Sequence, residues 1–199
     1  SKLKTKKQFE VYLKTSDFFD FLGNKLSAGE KKQIANRDTK TIIFLYFPFL
    51  LKSILTHPRA FTSLFQGLPI FLRSIPELLK AEKLGLSHRD LHLDNIIISG
   101  KRTVLIDLQF CLFSNSLYDK ISTLRLHWGD KEFRQRLLAE INNRDSDIED
   151  FEIVLRGLMV NSATHVLTSD NHSKKFIENF IGLLNFATKP NFQIGEIQK

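Results

Sequence analysis

The stretch LSHRDLHLDNIIISGKRTVLIDLQF, from Leu86 to Phe110, constrains this chain more than any other. It sets Asp90, Asp94 and Asp107 among apolar runs of strand-forming residues. Taking a carboxylate out of water is costly unless a partner meets it. A chain built this way calls for a cation or a phosphate-bearing ligand beside its β-structure.

The remaining sequence predicts a mostly helical protein with one small hairpin. Phe9–Leu22 carries apolar residues at helical spacing, with Gly23-Asn24 as its stop. The polar segment 27–40 predicts a second short helix or a loop. Thr41–Phe47, TIIFLYF, reads as a strand closed by Pro48. His57–Gly85 has helical periodicity, bent or divided at Pro69 and Pro76. Strands are expected at Asn95–Ser99 and Thr103–Leu108, joined by a tight turn at Gly-Lys-Arg. Helices follow at Lys131–Asn143, Asp147–Leu167 and Ser173–Ala187. Ser146 or Asp147 is the expected cap of the second, and Asn171 or Ser173 of the third.

Composition narrows the functional classes. The chain has 199 residues, 42% hydrophobic and 26% charged, as a folded domain with a core requires. Its one cysteine, Cys111, excludes an internal disulfide and a multi-cysteine metal site, and it fits a reducing cytoplasm. The start, SKLKTKKQFE, is basic without an apolar stretch after it, unlike a secretory signal. The longest apolar run, Thr41–Leu51, is too short to cross a bilayer, which takes about 20 residues. A net charge of +7 favours anionic partners. No basic stripe interleaved with aromatics argues for nucleic acid, so none is expected.

The central stretch resembles the catalytic core of the protein-kinase-like superfamily. HRDLHLDN, His88–Asn95, matches the pattern H-R-D-L-x-x-x-N, and twelve residues later Asp107 stands where the family has its second metal-binding aspartate. The resemblance implies ATP and Mg²⁺, with Asp90 as catalytic base and Asn95 and Asp107 as metal ligands at opposite ends of the paired strands, within reach of a single ion. It implies a structural hydrogen bond for His88 near the second aspartate. For Arg89, with no phosphorylated activation loop in view, the expectation is solvent or a structural salt bridge. Asp94 reads as a loop or cap residue. His92, which makes the triplet DLH, is similar to the aminoglycoside and choline phosphotransferases, with a structural or solvated histidine as the alternative.

Asp107 is followed by LQF rather than FG, and no A-P-E follows, against a regulated protein kinase. The short link to Asp119 resembles the lipopolysaccharide core-sugar kinases, in which this aspartate anchors the catalytic-loop backbone; a plain helix cap is the alternative. By the same resemblance Glu10, on a helix C-like segment, would be the ion-pairing glutamate, with an exposed helix glutamate as the default. The strand around Tyr46 would be the hinge that meets adenine. No G-x-G-x-x-G loop and no V-A-I-K lysine occurs in the chain.

The expected architecture is therefore a kinase-like C-terminal lobe with an N-lobe that is truncated or degenerate. Residues 1–40 read as a partial N-lobe, 41–56 as hinge strand and linker, 57–190 as the C-lobe and 191–199 as a tail. The leading function is phosphoryl transfer from ATP to a hydroxyl of a sugar, a lipopolysaccharide core or another small molecule. Such an enzyme would be cytoplasmic, with peripheral contact at the inner face of the membrane. A catalytically impaired kinase-like binding module and a protein kinase remain the alternatives.

Overall fold

The computed structural model describes residues 5–27, 29–30, 39–78, 84–92, 95–99, 102–147, 150–167 and 173–194. The described elements are α1 (Thr5–Lys25), α2 (Thr39–Thr56), a 3₁₀ turn (Pro58–Ala60), α3 (Phe61–Leu78), β1 (Leu84–Ser87), β2 (Ile96–Ser99), β3 (Arg102–Leu105), β4 (Leu112–Asn115), α4 (Tyr118–Leu126), α5 (Lys131–Asp145), α6 (Phe151–Val166) and α7 (Lys174–Ala187). The chain is mostly helical, with two small antiparallel sheets, β1–β4 and β2–β3.

Helix α6 is the central post. It is buried through Val154, Leu155, Met159, Val160 and Ala163 and packs against α2, α3, α4 and α7. The crossing with α3 is close. A Cβ on Gly157 would overlap Ser74, whose own hydroxyl donates to the Phe71 carbonyl at 2.7 Å. Phe9, Val11 and Tyr12 bring α1 into the same core, with the Phe9 ring edge-on to Phe133 of α5. A smaller cluster, Phe19, Leu86 and Phe113, joins α1 to the β1–β4 sheet.

The segment Thr41–Phe47 is helical, not a strand. Burial within α2 explains why: Tyr46 and Ser53 are buried and Phe49, Leu50 and Ile54 partly so, a helical recurrence set by packing on α6. Tertiary packing overrides the β-propensity of the run, and Pro48 is carried inside the helix. α3 likewise continues through Pro69 and Pro76 to Leu78. Gly85, expected at the end of that helix, lies in β1. α1 runs past Gly23 and Asn24, and Gly23 lets the Leu86 side chain approach to 3.1 Å of where a Cβ would stand.

Further differences are local. The link after Asp107 contains β4, whose residues Leu112–Asn115 pair with Ser87–Leu84. The first turn of α6 follows Asp150, in a left-handed conformation, so neither Ser146 nor Asp147 caps it; Ser146 ends α5 instead. Ser173 caps α7 by accepting from the Phe176 N–H. Ser27 and Glu30 exchange capping-box hydrogen bonds, while most of segment 27–40, the turn residues Gly100 and Lys101, Asn171 and Asp94 lie outside the described residues.

Candidate active site

The loop from His88 to Asn95 is held from below by one carboxylate. Asp119, in the first turn of α4, accepts the His88 N–H through Oδ2 at 2.7 Å and the Arg89 N–H through Oδ1 at 2.8 Å. Two successive N–H groups converge on one carboxylate because Arg89 adopts the left-handed region, φ 68°. That conformation is unfavourable for a residue with a Cβ and persists where its surroundings hold it. Burial pushes the Asp119 carboxyl above the usual range, and the hydrogen bonds from Arg89 and His88 oppose that shift. Beside it, Lys120 reaches both oxygens of Asp145 at 2.8 Å in a buried ion pair that ties α4 to α5.

His88 links the loop to the hairpin. Its Nε2 lies 3.1 Å from the carbonyl of Ile106, which can only accept, so Nε2 carries the proton. Its ring stands edge-on to Phe19 of α1. The Arg89 guanidinium lies 4.6 Å over the Tyr118 ring and donates to its hydroxyl at 3.3 Å. An aromatic contact thus occupies the place where solvent or a salt bridge was expected.

Asp90 and Asn95 meet directly. The Asn95 amide donates to the Asp90 carbonyl at 2.8 Å and to Asp90 Oδ2 at 3.3 Å. His92 Nε2 lies 3.5 Å from the same Oδ2. The Ile106 N–H donates to the Asn95 carbonyl at 3.0 Å, and β2 and β3 pair from Ile96 with Leu105 onward. Asn95 and Asp107 therefore lie at the same, open end of the hairpin and not at opposite ends of its strands, because the antiparallel pairing brings the start of β2 beside the end of β3. Asp107 is exposed and left-handed, φ 59° and ψ 50°, and a 3₁₀ turn over Leu108–Phe110 follows it.

Two expected residues stand apart from this group. Glu10 is an exposed residue of α1, whose buried face is formed by its neighbours Phe9, Val11 and Tyr12. Tyr46 is buried in α2 and stacked on Phe71 at 3.8 Å, and burial pushes its hydroxyl up to about 12. Its hinge assignment depended on a strand edge, and a helical backbone offers none.

Three features escaped the sequence reading. Tyr118 supports Arg89, and no spacing rule marks it. Arg125 is an interior cation: burial lowers its pKa, while the charges of Tyr118 and Asp90 oppose the shift. An apolar cavity of about 800 Å³ opens beside Asp107, between α1 and the hairpin, lined by Phe18, Phe19, Leu22, Leu86, Leu105 and Leu108 among others.

The sequence model of the phosphotransferase enzyme family (APH) matches residues 50–151, a span that runs from α2 to the start of α6 and contains the whole loop–hairpin unit. No curated protein and no solved structure matches the chain. The match covers just over half of the sequence, and the chain belongs to the phosphotransferase enzyme family, within the protein-kinase-like superfamily.

Proposed function

We propose that the protein transfers the γ-phosphoryl group of ATP to a hydroxyl of a sugar, a lipopolysaccharide core or another small molecule. Asp90 orients the acceptor hydroxyl and takes its proton late in transfer. The Asn95 amide oxygen and the Asp107 carboxylate hold Mg²⁺ together with the nucleotide phosphates. Asp119 and His88 fix the loop that carries Asp90, and His92 steadies the Asp90 carboxylate.

The observation that carries this reading is the Asp90–Asn95 contact at the hairpin end where the strand leading into Asp107 also closes. The Asn95 side chain bonds Asp90, and its main chain bonds Ile106, the neighbour of Asp107. Because the Asn95 amide nitrogen is committed to Asp90, its oxygen is the atom left for a metal. Mg²⁺ suits such a sparse set, since it keeps several waters and takes one or two protein oxygens plus phosphates. Among the described residues no group of three or more His, Cys, Asp and Glu forms a protein-only cage. When bound, the ion supplies charge neutralisation to the triphosphate.

The hairpin is apolar on both faces. Ile96, Ile98 and Leu105 pack on the core, while Ile97, Val104 and Ile106 are exposed. That outward face suits a purine ring lying next to the metal ligands. In this reading residues 57–190 are the C-lobe and residues 1–40 a partial amino-terminal region. A lipopolysaccharide-type acceptor would bring the protein to the cytoplasmic face of the membrane.

ADP release with a panel of sugar acceptors tests the proposal. Turnover is expected in the native chain and lost in Asp107→Ala; turnover that survives Asp107→Ala overturns the mechanism. A kinase-like binding module is the second reading, favoured by the lack of a glycine-rich loop and strand lysine in this sequence. Mg-ATP separates the two: saturation at 100 times Kd stabilises a nucleotide-binding protein by about 2.7 kcal/mol, and a module with no nucleotide site shows no shift.

A further inference from the structure

Helices α2 and α3 form a helical hairpin joined by His57 and the 3₁₀ turn Pro58–Ala60. Each has one side in the core: Tyr46 and Ser53 on α2, and Leu64, Gly67, Phe71 and Ser74 on α3. Their other sides carry large apolar residues in the open. On α2 these are Phe47, Leu51 and Leu55, one helical turn apart, with exposures of 49%, 62% and 75%. On α3 they are Phe61, Phe65 and Leu72, and the rings of Phe61 and Phe65 stack at 6.1 Å. The last residue of one stripe, Leu55, and the first of the other, Phe61, stand on either side of exposed Arg59 at the turn.

The charge pattern says what covers this surface. From residue 39 to residue 76 the sequence has no aspartate or glutamate, where 22 acidic residues in 199 would average about four over such a length. The same span holds Lys40, Lys52, Arg59 and Arg73, and the last three are exposed. A second copy docked on the same patch by two-fold symmetry would bring cation against cation with no acid between them. An anionic bilayer accepts both halves of the pattern: Phe and Leu enter the acyl boundary, and Lys and Arg meet lipid phosphates. Among the described residues no helix is long and apolar enough to cross a membrane, so the contact lies on the surface.

We infer that the α2–α3 hairpin docks on an anionic membrane surface, with Phe47, Leu51, Leu55, Phe61 and Phe65 inserted and Lys52, Arg59 and Arg73 at the lipid phosphates. The contact needs no catalysis, so it stands or falls apart from the phosphotransfer reading.

Sedimentation of the full chain with phosphatidylcholine vesicles, with and without about one-third phosphatidylglycerol, tests the inference. Binding is expected to the anionic vesicles, to weaken with salt and to fall at least about tenfold in Leu51→Glu/Leu55→Glu. Lys52→Glu/Arg59→Glu is expected to erase the preference for anionic lipid. Circular dichroism confirms that each variant is folded, and Asp107→Ala is expected to bind as the native chain does. Absence of binding, equal binding to both vesicles, or binding unchanged in both double variants overturns the inference. So does a dimer, seen by light scattering, that Leu51→Glu/Leu55→Glu dissociates in a protein with no affinity for vesicles.

Discussion

Two aspartates, one at the end of the hairpin and one on the helix beneath the loop, show opposite designs. Asp119 is buried, accepts two main-chain N–H groups and neighbours the buried Lys120–Asp145 pair. Asp107, twelve residues earlier, is exposed and sits in a left-handed turn with no such partners among the described residues. The first uses its carboxylate to shape the backbone, and the second leaves its carboxylate open to solvent, as the proposed metal ligand requires. The same residue type therefore separates into a buried scaffold and an open group by its burial and hydrogen bonds, and the proposed function puts Asp90, partly fastened by Asn95, with the open group.

Substitutions should split along that line. The largest effect is expected from Asp90→Asn, which should lower kcat by about 10²–10⁴-fold, the usual contribution of a general base, with little change in thermal stability. If Asp90→Asn unfolds the protein instead, Asp90 belongs with the scaffold. Next comes Asp145→Ala, which leaves the Lys120 charge buried without its partner and should cost about 3–5 kcal/mol in urea unfolding. Lys120→Met together with Asp145→Leu should recover most of that loss. Asp119→Ala orphans two N–H groups, each at about 1–3 kcal/mol when unsatisfied, partly offset because a costly buried carboxylate is removed. Asp119→Asn should lose less than Asp119→Ala. Asp107→Ala should change stability by no more than about 0.5 kcal/mol, as exposed sites do. A large loss there would erase the contrast.

The smallest effect concerns pH. Burial lowers the pKa of His127, which stacks on Phe133 at 4.1 Å, and the charge of Asp130 opposes the shift. With the folded pKa below the unfolded value of about 6.5, the unfolded chain binds more protons in between. Stability from the neutral ring is thus complete above that value and is lost as pH falls through the folded pKa. Thermal midpoints should decline from pH 7 to pH 5, and less steeply in His127→Gln.

The helical bundle was readable from apolar periodicity, and the loop was readable from the spacing of Asp90, Asn95 and Asp107. What escaped was set by contacts distant in sequence. β1 and β4 are four residues each and carry no alternation that outweighs their neighbours; they form strands because Leu86 and Phe113 pair across the sheet over Phe19. The run at Thr41–Phe47 is rich in β-branched and aromatic residues, and only its packing on α6 makes it a helix. Arg89 could not be placed on Tyr118 because that contact depends on a left-handed backbone that no residue type announces.

Mn²⁺ is a paramagnetic stand-in for Mg²⁺, and its titration with ATP, followed by electron paramagnetic resonance, addresses the proposed metal site without requiring the acceptor. The native chain and Asp90→Asn should bind Mn-ATP alike, while Asn95→Ala and Asp107→Ala should lose it. Equal binding by Asp107→Ala would contradict the account.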